Sequence, residues 1–256
     1  MKILVANDDG INSRGIHELV KALHEDAGAE VYVCAPNGER SGASHTITIK
    51  EPVEVWEEEF PGAEMAFSMT GAPADCVMMG LEIYRERGID IDMVFSGINH
   101  GANLGTDTHY SGTVNAALEG GLQNKMSVAV SLNSFEPKHF EYICGLAVRA
   151  ALQSEKEGFE PMVININAPD LPAEEVKGIR ISRLGSRIYD DDVRRVDDGS
   201  GRLLYTYGGT PMSAGGDDLD MDTALDEAGY ATITPLITDL TDYKMIDRIK
   251  AWREEK

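Results

Sequence analysis

Four apolar residues, Ile3-Leu4-Val5-Ala6, run together and stop abruptly at Asn7-Asp8-Asp9-Gly10. A short apolar run closed by turn-forming residues predicts a buried strand. Apolar positions resume at Ile16, Leu19, Val20 and Leu23, the i, i+3, i+4, i+7 spacing of a helix with one buried face. The alternation then repeats. Strands are predicted at residues 29–36, 92–95, 128–131 and 162–166. Pro73 opens a helix carrying Val77, Leu81 and Tyr84 and closed by Gly88. Ser111-Gly112-Thr113 starts another with Val114, Ala117, Leu118 and Leu122, and residues 140–152 give a further one. Between the second strand and Pro73, Ile47, Ile49, Val53 and Val55 keep a period of two across Pro52. That predicts a half-exposed edge segment over residues 46–56, with 65–69 as its partner.

Strand and helix alternating five times predict an α/β fold, a three-layer Rossmann-like sandwich on a mainly parallel sheet. After about residue 175 the rhythm changes. Ile179-Arg180-Ile181 is strand-like, and the acidic stretches Asp190-Asp191-Asp192 and Asp197-Asp198-Gly199 flank a hairpin returning through Leu203–Tyr207. Residues 215–218 read as a loop, 231–235 as a strand, and 242–254 as a final helix striped by Met245, Ile249 and Trp252. The expected division is a Rossmann-like core over 1–180 and a β-rich arm with a C-terminal helix over 181–256. No internal repeat appears.

Composition narrows the class. Of the 256 residues 42% are hydrophobic, enough for a substantial core. No apolar run approaches the ~18 residues of a membrane span, and the first run is too short for a signal peptide. Cys34, Cys76 and Cys144 are scattered and form no C-x-x-C pair, which fits reduced thiols in a cytoplasmic protein. A net charge of −21 argues against binding a nucleic-acid polymer, whose phosphates would be repelled. An anionic substrate would need a local cation.

In parallel α/β sheets ligands bind beyond the carboxyl ends of the strands. Three loops bring polar groups to that edge: Asn7-Asp8-Asp9-Gly10, Glu39-Arg40-Ser41-Gly42 and Ser96-Gly97-Ile98-Asn99. Adjacent carboxylates repel unless a cation or proton is shared. If the strands are neighbours, Asp8, Asp9, the Ser41 hydroxyl and the Asn99 amide converge as a hard-oxygen shell that favours Mg²⁺, Mn²⁺ or Ca²⁺ over zinc. The bland alternative, a polar turn leading into a helix cap, stays open on these residues alone. Ser111-Gly112-Thr113 offers amides and hydroxyls to an anion at a helix start, or is an ordinary Ser cap. Arg40 either neutralises phosphate or braces the carboxylates. His45, His100 and His109 lie in loops near the same edge, and Asn103 sits in the flexible stretch 99–105.

Taken together, Val5–Gly10, Ala35-Pro36…Glu39–Gly42…His45, Thr70-Gly71-Ala72-Pro73-Ala74-Asp75-Cys76-Val77, Ser96-Gly97-Ile98-Asn99…Gly101…Asn103, Ser111-Gly112-Thr113 and Gly229–Leu236 resemble the survival-protein E (SurE) family. The resemblance spans nearly the whole chain. It implies a metal-dependent phosphomonoesterase acting on nucleoside monophosphates, a 5′-nucleotidase, with 3′-nucleotides and polyphosphate as further substrates. One divalent ion per subunit would be held by Asp8, Asp9, Ser41 and Asn99. The phosphate side would fall to Asn7, Arg40, Gly42, His45, Asn103, Ser111, Gly112 and Thr113. It also implies a homodimer or homotetramer with exchanged C-terminal arms. The sequence departs at Gly42-Ala43-Ser44-His45, where the family often has Thr-Gly-His after the glycine.

The alternative from another class is a response-regulator-like Mg²⁺-binding signalling module, which also places an acidic pair after its first strand. It needs an Asp at the end of its third strand, where this chain has Ser96-Gly97. A haloacid-dehalogenase-type phosphatase wants Asp-x-Asp after the first strand, and a dinucleotide enzyme wants G-x-G-x-x-G. Both are missing here.

Overall fold

Along β1 (Lys2–Ala6), Ile3 and Val5 enter one apolar layer and Leu4 and Ala6 the other. A strand covered on both faces has no polar side, which is why the run is uninterrupted. The computed structural model describes residues 1–190, 193–209, 211–213, 218 and 220–253. Chain order continues with α1 (Arg14–Glu25), β2 (Glu30–Pro36), β3 (Val55–Glu58), β4 (Met65–Met69), α2 (Pro73–Glu86) and β5 (Met93–His100). A 3₁₀ turn (Gly105–His109) leads to α3 (Gly112–Leu122), β6 (Met126–Asn133), α4 (Glu141–Lys156) and β7 (Val163–Pro169). Then come β8 (Ile179–Ile181), β9 (Arg187–Tyr189), β10 (Val193–Val196), β11 (Leu204–Tyr207), β12 (Pro211–Ser213), α5 (Asp222–Glu227), β13 (Ala231–Leu236) and α6 (Tyr243–Lys250).

Among the described residues one sheet of nine strands runs β3-β4-β2-β1-β5-β6-β7-β13-β8. From β4 to β7 every pairing is parallel, and β3 and β13 are antiparallel to their neighbours β4 and β7. Helices α1 and α4 cover one face, where Ile16, Leu19, Ile143 and Leu146 meet Val5, Phe95 and Val130. Helices α2 and α3 cover the other, with Val77, Tyr84 and Ala116 against Leu4, Cys34 and Val94. Each fully buried Leu, Ile or Val contributes roughly 1.5–3 kcal/mol, and these two layers fix the strand order that builds the site. The arrangement is the expected three-layer α/β sandwich.

Several local expectations shift. Of the predicted segment 46–56 only its end, from Val55, is strand, paired with β4. Upstream, Thr48 turns to α2 instead: its amide donates to Asp75 Oδ1 at 2.9 Å and its hydroxyl to Oδ2 at 2.7 Å. Side-chain bonds to Asp75 replace a ladder there. The third predicted strand is longer, because β5 continues through Ser96–His100 with a register shift against β6 between Ser96 and Asn99. The hairpin appears as β10 paired with β11. Strand β13, from the C-terminal segment, enters the main sheet between β7 and β8. Helix α5 stands where no helix was expected. The terminal helix is shorter than predicted, and none of its residues is buried. Asp191 and Asp192, Gly215–Asp217 and Glu254 lie outside the described residues.

Candidate active site

Strands β1, β2 and β5 are parallel neighbours, so the loops at their carboxyl ends share one edge. Asp8 stands at the centre, 4% exposed. Thr113, in the first turn of α3, donates its hydroxyl to Asp8 Oδ1 at 2.5 Å and its amide to Oδ2 at 3.2 Å. A carboxylate thus occupies the positive end of α3. Burial is the main cause that pushes the Asp8 carboxyl up to about 6, with the Asp9 charge adding to it and Thr113 opposing. Asp9, half-buried, accepts from the His100 amide at 3.1 Å. Its carboxyl is also raised, first by burial, against which that amide works, and further by the charge of Glu39.

The Arg40 amide donates to the Asp8 carbonyl at 2.7 Å, which brings the loop after β2 beside the loop after β1. Ser41 donates its hydroxyl to Glu39 Oε1 at 2.7 Å. Asn99 donates its amide to the Gly101 carbonyl at 2.8 Å. The backbone irregularity in β5 turns Asn99 toward this edge. Gly97 permits it, since φ is +137° and a Cβ there would lie 2.2 Å from the Val130 carbonyl oxygen. Asp8, Ser41, Gly42, Asn99, Asn103 and Ser111 all line one cleft of about 470 Å³, while Asp9 lies beside it.

Other sequence-nominated residues have different partners. Asn7 is buried and donates to the Gly10 carbonyl and Ser13 Oγ, both at 2.9 Å, so it braces the turn. Ser111 Oγ accepts from the Val114 amide at 3.0 Å, the ordinary N-cap bond. Thr113 is engaged by Asp8 rather than open to an anion, and Gly112 packs on the same carboxylate. The Arg40 guanidinium is exposed and donates to the Thr70 carbonyl at 3.2 Å. His45 does not reach the cleft wall; its Nε2 pairs with Glu119 Oε2 at 2.9 Å on the side of α3.

A hard divalent cation fits this edge. The charges that raise Asp8 and Asp9 are negative, from Asp9 and Glu39 respectively. The Ser41 hydroxyl and Asn99 amide direct their donors elsewhere, which leaves oxygen lone pairs for a cation. Among the described residues no group of three or more His, Cys, Asp or Glu is placed to hold a metal. The donors present at this edge, two carboxylates and neutral oxygens, are of the kind a hydrated, exchangeable ion takes.

Comparison with known proteins follows the same lines. Residues 3–191 match the family described as Survival protein SurE. The chain belongs to the SurE family. It is 40% identical over 252 residues to the 5′-nucleotidase SurE of Syntrophomonas wolfei, spanning 98% of this chain and 94% of that protein. The 5′/3′-nucleotidase SurE of Cronobacter sakazakii is 43% identical over 259 residues, covering 98% and 96%. The crystal structure of the SurE protein from Aquifex aeolicus superposes with a TM-score of 0.84 at 35% identity, over 99% of this chain and all of that one.

This SurE-family cleft also contains residues that the sequence did not single out. Arg187 on β9 bridges to Asp107 Oδ2 at 2.9 Å, and the Tyr189 hydroxyl donates to the same oxygen at 2.6 Å. Asn133, Phe135, Tyr110 and Tyr207 complete the wall. They come from separate loops and strands, so no spacing in the sequence announces them.

Proposed function

We propose that the chain is a divalent-metal-dependent phosphomonoesterase that hydrolyses nucleoside monophosphates to nucleoside and phosphate. Nucleotidase activity follows from its family and from relatives of that name at 40–43% identity over nearly its full length. The observation that carries the mechanism is Asp8, a buried carboxylate at a cleft floor with the negative charge of Asp9 beside it. The signalling-module alternative has no support, since Ser96 stands inside β5 where such a module requires its acceptor Asp.

In this reading Asp8, Asp9, Ser41 and Asn99 hold one Mg²⁺ or Mn²⁺ per subunit. When bound, such an ion neutralises phosphate charge and lowers the pKa of a water for in-line attack. Thr113 favours the ionised form of Asp8, against the burial that raises it, and orients the carboxylate by bonding both of its oxygens. Asn7 fixes the turn, and Gly112 lets α3 approach the carboxylate. Gly42, Asn103 and Ser111 face the phosphate in the cleft. Arg40 and His45 would act from the loop above it, once released from Thr70 and Glu119. The amides of His100, Gly101, Asn103 and Gly105 are already donated to Asp9, Leu132, Asn167 and Asp222, so a backbone donor to the equatorial phosphate oxygens from this loop would be that of Ala102, which lines the cleft. Activity on 3′-nucleotides and polyphosphate belongs to the same proposal.

Functionally, residues 1–180 hold the chemistry, and residues 181–256 cover the cleft and mediate assembly. The exposed stripe of Ile249 and Trp252 on and after α6, with Met245 half-buried, suits exchange of this segment in a homodimer or homotetramer. The free cysteines Cys34, Cys76 and Cys144 fit a chain that works in the cytoplasm, where thiols stay reduced. Among the described residues no helix is long and apolar enough to cross a membrane. The test is phosphate release from a nucleoside monophosphate across divalent metals, with and without chelator. Release by Asp8→Asn at the wild-type rate in chelator would overturn the mechanism.

A further inference from the structure

The cleft is polar at its floor and aromatic at its rim. Phe135 is 90% exposed, Tyr207 67% and Tyr110 65%. They come from the loop after β6, the end of β11 and the residue just before the cap of α3, yet all three line the cleft that holds Asp8. Single exposed aromatics are common on protein surfaces. Three converging on one concavity from distant parts of the chain call for a ligand.

Their placement is built rather than incidental. The Phe135 ring lies over the backbone of Gly101, where an added Cβ would come within 3.3 Å of its Cε1. Gly101 has φ of +118°, so the loop that offers Asn99 and Asn103 also makes room for the ring. Tyr110 is fixed through its backbone, accepting from the Ser44 amide at 3.0 Å and donating to the Asp107 carbonyl at 2.9 Å. Tyr207 is followed by Gly208-Gly209, and a Cβ on Gly209 would lie 2.0 Å from the Asp190 carbonyl oxygen. That close approach seats the end of β11 against β9, which the Arg187 and Tyr189 bonds to Asp107 tie to the core.

We propose that Phe135 is the stacking platform for the nucleobase, with Tyr207 and Tyr110 enclosing it, while the phosphate of the same molecule lies over Asp8. This rests on the phosphomonoesterase reading above and assigns its substrate side. A cleft of about 470 Å³ is in the range that takes a small ligand. The cation in its wall, Arg187, is already bridged to Asp107, so the rim offers ring faces rather than charge. Stacking tolerates any base, because every base has a π face, and it favours the larger purines.

The experiment compares a purine 5′-monophosphate, a pyrimidine 5′-monophosphate and ribose 5-phosphate, which keeps sugar and phosphate but lacks the base. Metal is saturating, and wild type, Phe135→Ala, Phe135→Trp and Tyr207→Ala are assayed. For Phe135→Ala the ratio of kcat/KM on the purine nucleotide to that on ribose 5-phosphate should fall about 10-fold, through KM. The pyrimidine ratio should fall less, and Phe135→Trp should restore the purine value. An unchanged ratio overturns the proposal. So does a change of particle mass by light scattering together with equal losses on all three substrates, which would make the rim a subunit contact. Calorimetric binding of a purine nucleoside, which has no phosphate, gives the second arm. Wild type should bind it about 10-fold more tightly than Phe135→Ala, and equal affinity overturns the proposal. Wild type that binds the nucleoside but releases no phosphate from any substrate would defeat the phosphatase reading alone.

Discussion

Gly112→Ala tests whether the position of Asp8 governs the reaction. Gly112 is the first residue of α3 after the Ser111 cap. A Cβ there would lie 2.8 Å from Asp8 Cβ, 2.9 Å from Asp8 Oδ2 and 3.1 Å from Pro73 Cγ. Ordinary carbon contacts start at about 3.5 Å. The overlap of roughly 0.6–0.7 Å must therefore be relieved by moving Asp8 or the start of the helix. Overpacking of this kind costs about 1–3 kcal/mol. Alanine's helix preference over glycine returns at most about 1 kcal/mol, and less at a first-turn position. The net loss should lower Tm by about 3–6 °C. Activity should suffer more, since an error near 1 Å at a reacting centre costs about 100-fold. We expect kcat/KM for a nucleoside monophosphate to fall about 10- to 100-fold at saturating metal, with the variant still folded by circular dichroism. Wild-type kcat/KM in Gly112→Ala would refute the claim that Asp8 needs this exact seat.

Chelation should abolish phosphate release reversibly without lowering Tm by more than a few degrees, as read by adding metal back to the same sample. Asp8→Asn and Asp9→Asn should each lose several kcal/mol of transition-state stabilisation, whereas Ser41→Ala should lose less and recover in excess metal, measured by kcat/KM against metal concentration. Asp226 accepts from the Asn133 amide, its Oδ1 has no hydrogen-bond partner among the described residues, and burial pushes its carboxyl from 3.8 to about 6. The folded state therefore favours the protonated acid, so its stability contribution is present below 3.8 and is lost as pH rises through about 6. Roughly 2 kcal/mol should disappear between pH 4 and pH 7 from this group, and urea unfolding of Asp226→Asn should show a correspondingly flatter pH dependence. Gly145, inside α4, has nothing within 4 Å of an added Cβ, so Gly145→Ala should raise stability by about 1 kcal/mol in the same assay. Removing residues 239–256 should give a smaller species by light scattering, and an unchanged particle would reject arm-mediated assembly.

Local pattern carried far where burial is two-sided. The run Ile3–Ala6, the heptad-like spacing of Ile16 to Leu23 and the Pro73 start each report their own environment, and each appears as the expected element. Strand order is a different matter. Nothing in Ala231–Leu236 says that it will enter antiparallel between β7 and β8, because that depends on which neighbour covers it. The period of two over Ile47–Val55 was overridden by Thr48 bonding to Asp75, a partner 27 residues away. Asp222–Glu227 was hidden by its acidity: Asp222 accepts from the amides of Gly105 and Gly185, contacts between segments far apart in sequence. At the site, the residues at strand ends could be nominated because the fold class places them on one edge. The aromatic rim could not, since Tyr205 and Tyr207 read only as alternate positions of a strand.

The floor and the wall of the cleft are fastened by different kinds of bond. Asn103 is clasped by uncharged groups: its amide donates to Asn167 Oδ1 at 2.8 Å, its carbonyl accepts from Asn165 and Asn167, and its side chain donates to Ser131. Those amides neither titrate nor respond to ionic strength. The wall hangs on the Arg187–Asp107 ion pair, which is partly exposed and weakens with salt. The two halves of the pocket therefore fail in a set order. Under saline stress the molecule should become less choosy before it becomes less able, keeping its grip on phosphate while forgetting which base came with it.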